Sequence, residues 1–339
     1  MDQKSVLLAR KKMMSLLGTQ ALPMHAIAVA ADLGIADLVE EQAQTPEELA
    51  ATIGANADAL GRMLKALNTM GIFEEDANGR QHNTPLSATL RNDIPGSMVG
   101  WARYKTSEMT NRTFEGLRYS VITGQPVFPK IFGKSLFAFL GENPEMREVF
   151  AGGMTSYSSS SVSEAVEAYD FSKIKRIADI GGGHGAFLRG ILSAVNGPTG
   201  ILLDLPEVIA QADKPQGTAL GDRYSVVAGD FFKAVPPQAD LYLMRHIIHN
   251  WSDQDAVTIF CNCRKAMAPG GKVLMIEFLL KEANQPDFGR FMDLTMLTFV
   301  HGRERTLTEF ESIFQVGNLR LTRAIPTSGL HTLIEAEAA

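Results

Sequence analysis

Asp179-Ile180-Gly181-Gly182-Gly183-His184-Gly185 sets the architecture of this chain. The run Ile174–Ile180 in front of it reads as a buried strand, and residues 186–195 behind it read as a helix. A strand thus enters a glycine turn that opens a helix. Glycines permit the tight turn and let a ligand press against bare backbone. The spacing lacks a glycine at the third residue after Gly183, where Ala186 stands, which counts against a dinucleotide pyrophosphate. Further strands follow at Gly200–Asp204, Tyr224–Asp230, Asp240–Met244 and Lys272–Glu277. Helical patterns alternate with them at 206–213 and 253–268, the second closed by Pro269-Gly270-Gly271. That alternation predicts an α/β fold with a parallel, doubly wound sheet and ligands at its carboxyl edge. The last two strands, Leu319–Ile325 and Leu330–Glu335, have no helix between them and predict an antiparallel edge hairpin.

The N-terminal half is helical. Leu, Met and Ile recur at helical spacing over 5–40, with a break expected at Pro23. Thr45-Pro46-Glu47-Glu48 is a helix start ending near Gly54, and a second helix spans about 57–70. Ile72–Glu75, the turn Asn78-Gly79 and Gln81–Asn83 form a small hairpin. Two helices and a hairpin make a winged-helix pattern, but Arg62 and Lys65 alone are a poor phosphate footprint on the second helix. Helices resume over 95–170, interrupted at 124–126 and 141–144. The tract Ser156-Tyr157-Ser158-Ser159-Ser160-Ser161 reads as a loop or a helix start.

The 339 residues suit two domains, and 45% hydrophobic against 21% charged residues is ordinary for a globular protein. The net charge, 32 − 38 = −6, argues against nucleic acid and favours a small-molecule partner. Cys261 and Cys263 point to different faces of a helix, so neither a shared metal nor a disulfide is expected, and a reducing cytoplasm fits. No leader segment is visible. The uninterrupted apolar stretches, such as Ala26–Ala31, are far shorter than a membrane span, so no membrane partner is expected.

The strand ends carry the chemistry. Asp204 closes the second strand, where an acid accepts hydrogen bonds from both ribose hydroxyls of a nucleoside or caps the next helix. Asp230-Phe231 closes the third, a carboxylate for an adenine amino group and a ring to pack on the base. A diphosphate is poorly served by so many carboxylates; a sulfonium cation on a nucleoside is well served.

At these residues the chain resembles the class I S-adenosylmethionine-dependent O-methyltransferases, in particular the plant-type small-molecule (caffeate- and flavonoid-like) branch and its bacterial natural-product relatives. The matching stretches are Asp179–Gly185, Leu203–Pro206, Gly229-Asp230-Phe231-Phe232, Arg245–Asp253, Pro269-Gly270-Gly271 and Gly302-Arg303-Glu304-Arg305-Thr306. The resemblance spans essentially the whole chain. It implies a winged-helix-like dimerisation domain over 1–95, a helical linker lining the substrate over 96–170, and a Rossmann-like methyltransferase domain over 171–339. It also implies a homodimer. S-adenosylmethionine would be the cofactor, touched by Asp179, Gly181, Gly183, Asp204, Asp230, Phe231 and Arg245.

Methyl transfer asks the protein to align a nucleophilic oxygen and to take its proton. A phenol has a pKa of roughly 10, so a base near neutral pKa helps. His246 and His249 both follow the fourth strand; the resemblance places the base at His249, flanked by Glu277 and Glu304. Glu304 is alternatively a surface partner of Arg303 or Arg305. The family's aspartate after the base is Asn250 here. Phe150 and Met154, in a segment resembling the family's substrate helix, would wall a flat aromatic or enolic substrate with Phe291 and Met296. Met and Phe at that spacing also suit a plain core. Three other readings remain open. They are a non-methylating reaction in the same fold (decarboxylation, hydroxylation or a pericyclic step) or transfer to nitrogen or carbon, a nicotinamide oxidoreductase, and a winged-helix regulator.

Overall fold

The computed structural model describes residues 2–158, 161–212 and 219–339. They divide into two compact units, Met1–Arg112 with Leu140–Ser159, and Thr113–Phe139 with Ser160–Ala339. The helical stretch 96–170 contributes to both.

The first unit begins with helices Gln3–Thr19, Ala21–Asp32 and Ile35–Glu41. The first break falls at Gln20, not at Pro23. Pro23 lies in the first turn of its helix, where its missing N–H costs no hydrogen bond. Because Gln20 keeps a right-handed helical backbone, Lys4–Asp32 is by length and composition apolar enough to cross a membrane, though only 11% of its most apolar window is buried. Counting uninterrupted apolar runs missed this. Pro46–Ile53 starts at a capping box between Thr45 and Glu48 and stops at Gly54 (φ 70°). Ala57–Asn68 follows, then β1 (Phe73–Glu75) paired antiparallel with β2 (Gln81–Asn83). Ile35, Leu49, Leu64, Leu67 and Phe73 form the core of this winged unit. Helices Val99–Thr106 and Pro144–Ser158 complete it. Ser159 and Ser160 lie outside the described residues.

The second unit carries β3 (Arg176–Ile180), β4 (Thr199–Asp204), β5 (Tyr224–Ala228), β6 (Leu241–Arg245), β7 (Lys272–Glu277), β8 (Leu319–Pro326) and β9 (Thr332–Ala338). Their order is β5-β4-β3-β6-β7-β9-β8; the first five are parallel, and β9 runs antiparallel to both β7 and β8. The predicted hairpin is therefore the sheet's edge. Alternate residues of β3 feed opposite faces. Ala178 and Ile180 join Tyr242, Met244 and Phe314 on one side, while Ile177 joins Leu202, Leu241 and Leu188 on the other. The helix expected over 206–213 is a single turn, Pro206–Ile209; residue 213 lies outside the described residues. Cys261 and Cys263 lie in helix Asp253–Ala266, and Cys263 is buried.

Phe314 is fully buried, its ring 4.8 Å from that of Phe260 across two packed helices. Phe314→Ala is expected to destabilise the second unit by about 3–5 kcal/mol, read as a lower urea midpoint with an unchanged slope.

Candidate active site

From β3 the chain runs one way to β4 and β5, then returns on the other side of β3 as β6. The glycine turn after β3 thus stands where the strand order reverses, the place where such sheets hold ligands. Gly181, Gly183 and Gly185 take φ of 70°, 62° and 78°, left-handed values that suit glycine. Gly182 is needed for another reason: a Cβ there would fall on the Asp179 carboxylate and the Leu202 side chain. The Gly183 N–H donates to Asp204 Oδ2 at 2.8 Å and the Leu205 N–H to Oδ1 at 2.7 Å. Asp204 is thereby held against the turn. It does not cap the next helix, whose N-cap residue is Leu205.

The other expected cofactor residues gather here too. Phe231 and Ile247 are the side chains nearest the open face of Gly181. The Arg245 guanidinium lies 5.0 Å from the Phe187 ring centre. Asp230 Oδ1 accepts from the Phe232 N–H, and Lys233 Nζ stands 3.3 Å from its Oδ2. Burial pushes the Asp179 carboxyl up to about 7, against the pull of Arg245 and with a push from Asp204. Among the described residues its Oδ2 has no hydrogen-bond partner.

A second cluster lies at the ends of β6 and β7. The chain leaves β6 through His246, whose φ of 54° is left-handed, and makes a 3-10 turn at Ile248–Asn250. His249 is buried in that turn, its Nδ1 2.8 Å from Glu304 Oε1 and 3.6 Å from Glu277 Oε2. Glu277 Oε1 accepts from the Ile248 N–H at 3.1 Å. The Glu304 loop comes this close because Gly302 has no side chain: a Cβ there would overlap the His249 carbonyl and the Asn250 backbone. Asn250 Nδ2 donates to the His246 carbonyl at 2.8 Å.

Burial pulls His249 down, but Glu304 and Glu277 outweigh it and hold the imidazole up at about 9. Burial raises the Glu277 carboxyl to about 7. The same burial, with His249, Arg245 and His331 nearby, drives His246 well below the ordinary histidine range. The ligand-capable atoms of His246, His249 and Glu277 lie within 4.8 Å of one another, and each histidine Nδ1 stands 3.6 Å from Glu277 Oε2.

The alternative reading of Glu304 is corrected. It pairs with neither neighbouring arginine at a surface: it is fully buried on His249, while Arg303 bonds Glu309. Arg305 is itself fully buried and donates to the carbonyls of Ile248 and Trp251 and to Asp253, clamping the His249 turn. No local pattern singles out Arg305, or His331, which bonds His246. Of the expected substrate wall, Phe150 and Met154 are half-buried on Pro144–Ser158 in the first unit, Phe150 edge-on to Tyr104. On helix Phe288–Phe299 of the second unit, Met296 is buried and Phe291 is 71% exposed.

Residues 114–318 match the O-methyltransferase domain. The chain belongs to the O-methyltransferase family. Residues 14–93 match the O-methyltransferase dimerisation domain. The exposed Leu16, Leu17 and Leu22 of the apolar N-terminal helices fall inside that match, which supports a homodimer. This O-methyltransferase is 40% identical over 309 residues to a phenazine O-methyltransferase of Lysobacter antibioticus, covering 91% of this chain and 90% of that one. A calicheamicin-biosynthesis methyltransferase, solved with S-adenosylhomocysteine, superposes with a TM-score of 0.88 at 34% identity, and each chain is covered in full. A neocarzinostatin-biosynthesis O-methyltransferase, solved with S-adenosylmethionine and 2-hydroxy-5-methyl naphthoic acid, gives 0.73 at 32%, covering 95% and 98%.

S-adenosylmethionine is the cofactor of this enzyme. The residues present fit it: left-handed glycines at Gly181, Gly183 and Gly185 that keep side chains off the turn, an orphaned buried oxygen on Asp179, and the Asp204 carboxylate held against the turn. Gly182→Ala is expected to abolish S-adenosylhomocysteine binding in calorimetry, at least about 100-fold, while the circular dichroism spectrum is retained.

Proposed function

We propose that this enzyme methylates a phenolic or enolic hydroxyl of a small aromatic natural product, with His249 as the general base. The observation that carries the reading is the hold on one ring nitrogen. Glu304 and Glu277 both face His249 Nδ1. A proton fixed there leaves Nε2 as the basic nitrogen, which is the division of labour a general base needs. When bound, S-adenosylmethionine supplies an electrophilic methyl group on a sulfonium that departs as a neutral thioether. Asp204 and Asp230 are assigned to its nucleoside, Phe231 to the adenine face, and Gly181 and Gly183 to the backbone contact. Asp179 and Arg245 set the charge behind the turn.

The relatives support the substrate class. One is named for a phenazine and another was solved with a hydroxynaphthoic acid, both flat aromatics. Phe291 and Met296 are assigned to the substrate wall, while Phe150 and Met154 belong to the first unit. Asn250 replaces a charge with an amide that braces the His246 carbonyl and leaves the His249–Glu304 pair in place. The non-methylating reactions, and transfer to nitrogen or carbon, are the less favoured readings; a product heavier by one CH2 on oxygen separates them from the proposal.

His249→Ala is expected to lower kcat about 10²–10⁴-fold, with S-adenosylhomocysteine affinity within about threefold. A full rate in that variant would sink the base. Because the active form is the neutral imidazole, kcat/KM is expected to climb as pH rises from 7 through about 9, the pKa set by Glu304 and Glu277. A bound sulfonium cation favours the neutral ring, so the limb in kcat is expected at lower pH than the limb in kcat/KM.

A further inference from the structure

His249 is 6% exposed, so a proton taken there cannot pass straight to bulk water. Buried groups continue from it. Glu277 Oε2 stands 3.6 Å from His249 Nδ1 and also 3.6 Å from His246 Nδ1, between the two rings at more than hydrogen-bond distance from each. His246 Nε2 is 3.1 Å from His331 Nε2, at the start of the hairpin's second strand. His331 Nδ1 is 3.4 Å from Glu164 Oε2, on helix Ser161–Ala168. Glu164 also accepts from Thr327 Oγ1 in the hairpin loop, and its side chain is 14% exposed. Phe278 stacks on His331 at 5.1 Å and tilts against His246 at 5.3 Å, shielding the middle of the path.

Resting on the reading of His249 as base, we propose that Glu277, His246, His331 and Glu164 form a proton relay that carries the substrate's hydroxyl proton from His249 to the surface beside the β8–β9 loop. The tautomers give it a direction. Burial holds both His246 and His331 below the ordinary histidine range, so both rings are neutral near pH 7. Glu164 places the His331 proton on Nδ1, and His331 Nε2 then accepts from His246 Nε2–H. That leaves His246 Nδ1 bare, facing Glu277 Oε2. A Glu277 carboxyl raised toward 7 is able to carry a proton there.

Each hop is balanced. The hydroxyl proton goes to His249 Nε2 as the oxygen's electron pair forms the new C–O bond. The His249 Nδ1 proton passes to Glu277, and one passes from Glu277 to His246 Nδ1. His246 Nε2 gives its proton to His331 Nε2, and His331 Nδ1 gives its own to Glu164 and then to water. The base is restored as neutral imidazole, and the reversed rings return to their starting tautomers for the next turnover. Five titratable groups brought together largely away from water carry a desolvation cost that simple packing does not require.

The test is a single-turnover measurement in weak buffer, following methyl transfer by quench and proton release by a pH indicator, on the full-length enzyme with an accepted phenol. In the unaltered enzyme the two traces are expected to coincide. In His331→Phe, and independently in the more exposed Glu164→Gln, proton release is expected to trail methyl transfer by about tenfold, with steady-state kcat falling to match. Added imidazole, a small mobile proton carrier, is expected to close the gap. A purely structural role for these residues would slow both traces together and give no rescue, which overturns the relay. Coincident traces at the unaltered rate in both variants overturn it as well. His249→Ala separates the two ideas. A collapse of methyl transfer there, with coincident traces in the relay variants, removes the relay alone. A full rate in His249→Ala removes the base, and with it the relay.

Discussion

Glu277 and Glu304 have no exposed surface, and a carboxylate taken out of water must find compensation or lose its charge. Two of them close together repel as well. Their compensation is local and specific. Glu304 sits on the His249 imidazole, and Glu277 takes the Ile248 N–H while facing both histidines. The buried Arg305 guanidinium lies behind them, bound to the carbonyls on either side of His249 and to Asp253. Removing any one of these groups leaves an uncompensated charge in the interior, typically a loss of about 3–5 kcal/mol. The cluster therefore holds the His249 turn as firmly as apolar packing would.

That demand explains the backbone around it. The Glu304 loop reaches the histidine only because Gly302 lets it lie on the His249 carbonyl. His246 adopts a left-handed conformation that a non-glycine residue takes at a cost. In return its ring points toward Glu277 and His331, and its carbonyl is tied down by Asn250. The glycine turn is a parallel case. Three of its glycines have left-handed φ and a fourth has no room for a Cβ beside Asp179 and Leu202, so the shape of the turn is built into the backbone.

The sheet was legible because each parallel strand is a short apolar run punctuated by glycine, acid or proline, and the crossovers before β4 and β7 carry a helical period. The winged unit was legible for the same reason, down to the helix start at Thr45. What failed was local in a different sense. Pro23 looked like a break, but a first-turn proline breaks nothing, and Gln20 continued a helix that counting apolar runs had cut short. Asp204 had two readings until the Gly183 N–H selected one. Glu304 stood between two arginines in sequence, and the partner it found is 55 residues away. His246 and His331 are 85 apart, on β-elements that meet only because β9 inserts beside β7. Pairings across that distance leave no periodicity to read.

Charge balance connects the two halves of the site. On the proposed reaction, the positive charge that a bound sulfonium would bring is left as a proton on His249. The cofactor side is provided with acids, Asp179, Asp204 and Asp230, which suit a cation that arrives and then loses its charge. The proton's side holds a ring whose pKa of about 9 makes it a good place to receive a proton and a poor place to lose one. On the proposed relay the proton would pass uphill to a weaker base, and Glu277, the second carboxyl facing His249, has been raised toward that range by burial, which narrows the step. Glu164 at the far end is 14% exposed where Glu277 has no exposed surface, so on that relay the proton would reach solvent there and the interior would return to the charge it had before substrate arrived.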